Sequence, residues 1–133
     1  MKLLLCSDFS NVGYRWVKRF FKSTKGLNVL FVGYAKEDDT QDDTQSGSYE
    51  RFVEMGMSVD VLDKNYKFDK TIDIIFVRGG NTTKLIHYLK KYDQFDKIKT
   101  IAEKGRTLYW QQCRGYFGWH RDRIYIRFRT LCR

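Results

Sequence analysis

The chain has 133 residues, 42% hydrophobic and 31% charged. That length supports one hydrophobic core, and the composition excludes a wholly disordered polymer. No apolar run approaches the roughly 18 residues of a membrane-spanning helix, and Leu3-Leu4-Leu5 is far shorter than the ~7 to 15 apolar residues of a secretory leader. Cys6, Cys113 and Cys132 suit neither a disulfide framework nor a zinc motif, so a reducing cytoplasm is the expected compartment.

The net charge of +9 is unevenly spread. Residues 1–105 hold 18 basic and 15 acidic side chains, a balance of +3, whereas residues 106–133 hold 7 basic side chains and one acid, Asp122. Lys outnumbers Arg 14 to 4 before residue 106, and the tail has 7 Arg and no Lys. Two of the three Trp and two of the three Cys also fall there. The excess charge belongs to the tail alone.

Before the tail, strands and helices alternate. A strand is predicted over 2–7, then an amphipathic helix with Val12, Trp16, Val17, Phe20 and Phe21 inward and Arg15, Lys18, Arg19 and Lys22 outward, ended by Gly26. The near-continuous run 28–35 reads as a strand buried on both faces. Residues 37–47 are polar and acidic, with Asp-Asp-Thr-Gln at 38–41 repeated at 42–45, which predicts a lengthened, solvated surface loop; a cation site built from its four Asp is the bolder alternative. Ser48 is the expected cap of a helix carrying Tyr49, Phe52 and Val53 and closed by Gly56. Further strands are expected at 58–62 and 72–78. A helix then carries Leu85, Ile86, Leu89 and Tyr92, another spans 96–104 with a Gly105 stop, and Thr107 opens a fifth strand. This order predicts an α/β fold: three layers, a mostly parallel sheet with helices on both faces, and ligands at the carboxyl ends of the strands.

The best local candidate for chemistry is Arg78-Gly79-Gly80-Asn81-Thr82, between a strand's carboxyl end and a helix's amino end. Glycines allow close backbone approach, and the free N–H groups there favour a developing oxyanion. The plainer reading is a tight turn capped by Asn81 or Thr82. His87 has no ligand partner at metal-binding spacing, and His120 lies in the aberrant tail; no metal or cofactor is expected.

The order of elements, the Gly79-Gly80-Asn81-Thr82 turn and the stretch Glu103-Lys104-Gly105-Arg106-Thr107-Leu108-Tyr109 resemble the dipeptidase E (aspartyl dipeptidase) family of serine peptidases over residues 1 to 109. The resemblance implies a class I glutamine amidotransferase-like, flavodoxin-like sheet, a Ser nucleophile on a Gly-x-Ser-Ala-Gly elbow, and a downstream His and acidic residue. It also implies short peptide substrates with an amino-terminal Asp, and no cofactor. Gly79 and Gly80 take the place of the family's glycine pair on the oxyanion side. Where the elbow belongs, this chain reads Trp110-Gln111-Gln112-Cys113-Arg114-Gly115.

Codon arithmetic offers a reason. Trp is TGG and every Gln codon begins with C, so reading from the second base of Trp110 forces glycine. The codons of Gln111 to Gly115 then allow Asn, Ser, Ala and Gly in succession. Beyond them the displaced frame allows V-I-L-A-G-T-E-I-E-Y-T-L-D-S-E-P-Y-V, which supplies an acid at the position of Arg127. The expectation is a peptidase-like α/β domain over 1–109, truncated at its C-terminus, and an aberrant tail over 110–133 produced by a frameshift. Lacking the elbow and the His, this polypeptide is expected to be inactive.

Two other readings compete. In an ungapped alignment Cys113 takes the place of the nucleophilic Ser, making a cysteine hydrolase conceivable, although Gln111 and Arg114 replace the small residues that a strained elbow needs. The tail from Tyr116 to Arg129 interleaves aromatics and arginines in a manner that suits nucleic acid or an acidic surface. A shortened domain is also expected to expose a sheet edge and to self-associate through it.

Overall fold

A computed structural model of the chain describes the backbone of residues 2–6, 9–104 and 107–111, and the side chains of residues 9–104. Five strands, β1 (Lys2–Cys6), β2 (Asn28–Val32), β3 (Ser58–Val61), β4 (Ile74–Val77) and β5 (Thr107–Gln111), form one parallel sheet in the order β1-β5-β4-β2-β3. Four helices connect them: α1 (Tyr14–Phe20), α2 (Gly47–Glu54), α3 (Thr82–Lys91) and α4 (Phe95–Glu103). A wide helical turn at Phe9–Gly13 leads into α1, and a tight one at Asp43–Gln45 precedes α2.

The central strands β2 and β4 explain the layering. Their side chains alternate between faces, and both faces are apolar. Val29, Phe31, Ile74 and Phe76 pack with Phe9, Val17 of α1 and Phe52 of α2. Leu30, Val32, Ile75 and Val77 pack with Leu85 and Leu89 of α3 and Ala102 of α4 on the other side. Four phenylalanines fill the first layer, with Phe9 stacked 4.5 Å from Phe52 and Phe76 lying 5.0 Å from Phe31. Each such buried ring contributes about 1.5–3 kcal/mol.

The elements follow the expected order, with three corrections. The α2 cap is Ser46, whose Oγ accepts the Tyr49 N–H at 3.2 Å, and not Ser48, which lies inside the first turn. The acidic loop is not wholly solvated, because Asp43 is buried. The stripe expected inward on α1 is only partly so: Val17 is buried, while Val12, Trp16 and Phe20 are 54%, 46% and 47% exposed. Helical periodicity marks an apolar arc, but the width of the sheet beneath decides how much of it is covered.

β2 and β4 are neighbours, yet the chain leaves β2 for β3 across the α2 face and leaves β4 for β5 across the α3–α4 face. Such a divergence opens a crevice at the strands' carboxyl ends, where ligands of doubly wound sheets bind.

Candidate functional site

Arg78, Gly79 and Gly80 carry the chain from β4 to α3 at this crevice. Gly80 has φ +144°, a conformation glycine alone adopts readily, and a Cβ there would stand 2.0 Å from the Ala35 carbonyl oxygen. The turn is pressed against the loop leaving β2: the Asn81 N–H donates to Ala35 O at 2.7 Å. The Asn81 side chain caps α3 by accepting the Lys84 N–H at 3.0 Å. Asn81 therefore performs the structural task, Thr82 is the exposed first residue of α3, and the Gly79 and Gly80 N–H groups have no acceptor among the described residues. N–H groups so placed at a helix amino end are suited to a carbonyl oxygen acquiring negative charge.

β5 runs beside this turn, with Val77 in register with Trp110. Trp110 and Gln111 belong to β5, and Cys113, His120 and the rest of residues 112–133 lie outside the described residues. His87 is exposed on α3, its ring edge-on to Tyr88 at 5.4 Å.

Residues that sequence reading passed over support the turn from below. Arg78 Nη1 lies 2.9 Å from Asp43 Oδ1, and Lys36 Nζ lies 3.2 Å from Oδ2 of the same carboxylate. Arg78 also donates to the Gln41 side chain. The Asp43 side chain is 8% exposed, so its charge is matched within the protein by two cations. Gly33 makes room for it: a Cβ there would fall 2.0 Å from Asp43 Oδ2. A glycine interrupting the apolar run after β2 was the available signal.

The tandem repeat has a local logic. Asp38 accepts the Thr40 N–H at 2.9 Å and Asp42 accepts the Thr44 N–H at 2.9 Å, so each copy closes the same Asx turn. Hydrogen bonds from Thr40 hold the Asp38 carboxyl below the usual range, and those from Thr44 do the same for Asp42. The second acid of each copy pairs with a protein cation, Asp39 with Lys84 at 2.7 Å and Asp43 with Lys36 and Arg78. Among the described residues no group of three or more His, Cys, Asp or Glu is arranged to hold a metal ion, and no helix is long and apolar enough to cross a membrane.

With this geometry established, the sequence profile of Peptidase family S51 matches residues 3–110. The chain belongs to that family. The match stops at residue 110, beside the change in composition. The fold is similar to that of a protein from Listeria monocytogenes EGD-e, provisionally assigned as a peptidase E, with a TM-score of 0.70 at 23% identity. The likeness covers 84% of this S51 chain and 59% of the Listeria chain, so this chain spans about three-fifths of that neighbour's length. No curated protein matches it.

Proposed function

We propose that residues 1–109 derive from a cytoplasmic serine peptidase acting on short peptides, and that this polypeptide itself does not hydrolyse them. The observation that carries the first part is the Gly79–Gly80 turn of an S51-family chain, whose two N–H groups have no acceptor among the described residues and follow the strand that pairs with β5. They are the oxyanion donors, and the nucleophile belongs on the elbow following β5, where attack on a bound carbonyl would bring the developing charge to them. Substrates with an amino-terminal Asp are the class that the dipeptidase E resemblance supports.

The inactivity rests on chemistry in the sequence. Trp110-Gln111-Gln112-Cys113-Arg114-Gly115 offers no serine, and its large side chains oppose a strained strand-to-helix turn. A frameshift after Tyr109 accounts for this, for the switch from Lys to Arg and for the loss of acids, and residues 110–133 are then a tail without a selected function. Self-association has its support in the exposed Val12, Trp16 and Phe20.

Two measurements test this. The nucleotide sequence around codons 109 and 110 should need a change of frame to restore Gly-x-Ser-Ala-Gly; a native locus that encodes the present tail without extra or missing bases in related genomes refutes the frameshift. Aspartyl dipeptides should survive incubation with the purified chain, and cleavage at an enzyme-like rate overturns the inactivity.

A further inference from the structure

The structure has a concavity at the carboxyl ends of β2 and β3, bordered by the loop from Asp39 to Thr44, with a volume of about 640 Å³, within the range of small-molecule sites. It is lined by Leu62 and by an aromatic wall of Tyr34, Tyr88 of α3 and Tyr92, which caps the end of that helix. Those three rings are mutually in contact, with centroids 5.7, 5.8 and 5.8 Å apart. The wall is held in place: the Tyr34 hydroxyl donates to Gln94 Oε1 at 3.0 Å, and buried Gln94 donates onward to the Asp63 carbonyl at 2.6 Å. The site is continuous with the turn, because Tyr34 and Lys36 line it while Ala35 between them touches Gly80.

The charge of the lining narrows the ligand. Asp43 is held between the two cations Lys36 and Arg78, and Asp39 is paired with Lys84. The carboxylates of Asp42 and Asp63 have no ion pair among the described residues and accept the local N–H groups of Thr44 and Asn65. Aromatic faces carry negative potential, and these rings already attract one cation of the chain, since Lys91 Nζ lies 5.8 Å from the centroids of both Tyr88 and Tyr92. A cation on an apolar stem can meet both the aromatic faces and the Asp42 and Asp63 carboxylates.

We infer that the tyrosine-walled cavity binds an alkylammonium or guanidinium group on an apolar stem, as carried by the amino terminus or a basic side chain of a short peptide. This rests on the peptide-directed reading above for its biological source, but the binding itself requires no nucleophile.

The full 133-residue chain is titrated with Nα-acetyl-lysine amide, and the tyrosine ring resonances are followed by NMR. Saturable shifts at Tyr34, Tyr88 and Tyr92 are expected, with the neutral analogue Nα-acetyl-norleucine amide binding several-fold more weakly. Tyr88→Leu should weaken the lysine derivative roughly two- to fivefold, the range of an exposed cation–π pair, while Tyr88→Phe retains it. Comparing alanyl-alanine amide with its N-acetylated form tells whether a peptide's own terminus also serves. Equal binding of lysine and norleucine derivatives, indifference to Tyr88→Leu in a variant that remains folded, or no binding at all overturns the inference. A restored elbow that fails to give a peptidase defeats the proposed activity and leaves this result standing.

Discussion

The Asp43 carboxylate occupies the space that a side chain on Gly33 would fill, and from there it reaches Lys36 and Arg78. The relationship joins the end of β2, the acidic loop and the last residue before the glycine turn.

Gly33→Ala should therefore act as an ion-pair mutation. Its methyl displaces Asp43 and leaves two largely buried cations without their anion, a loss of about 3 kcal/mol. Asp43→Ala should cost a similar amount, and the double variant should cost much less than the sum, because both remove the same interaction. Urea unfolding of the three variants measures this, and additive losses would contradict it.

Gly80→Ala meets a backbone obstacle. At φ +144° with the Ala35 oxygen 2.0 Å from the new Cβ, the turn must move. A loss of about 2–4 kcal/mol is expected from strain and from weakening the Asn81 to Ala35 hydrogen bond. Amide exchange at Asn81, measured by NMR, should accelerate more than at Leu30 in the core.

Alkaline pH should destabilise the fold through two tyrosines. Burial pushes the Tyr34 hydroxyl up to about 12. Burial, with Asp60 beside it, pushes Tyr66 up to about 12 as well. Both folded values exceed the ordinary value of about 10, so their contribution is fully present below pH 10 and is lost as the pH rises through 12. Urea midpoints measured across this window should fall, and Tyr34→Phe should flatten the decline.

Trp16→Ser together with Phe20→Ser should reduce association while leaving the fold intact. Both side chains are nearly half exposed, so each substitution also removes about half of a ring's apolar burial, roughly 1 kcal/mol. Light scattering should drop in the double variant while a cooperative urea transition is retained at a lower midpoint.

The sheet was legible because β2 and β4 are apolar on both faces, and a run such as Asn28-Val29-Leu30-Phe31-Val32 has few alternatives to a buried parallel strand. The glycine turn was legible for a similar local reason. The Asp43 pairing was not, because its partner Arg78 is 35 residues away and composition cannot distinguish one aspartate in an acidic run from its neighbours. The cap was misplaced between Ser46 and Ser48 because both are good caps flanking Gly47, and only the backbone path into the helix separates them. The tyrosine wall was missed since Tyr34 joins Tyr88 and Tyr92 only when β2 and α3 are brought together.

β1 pairs with β5 alone, and β5 links it to β4. β1 consequently gains a neighbour only when a strand from the far end of the described residues is in place, an arrangement of long sequence separation that slows folding. Trp110 and Gln111 belong to that late-arriving strand. The change of frame proposed above would fall just before them, at the joint that fastens β1 to the rest of the sheet.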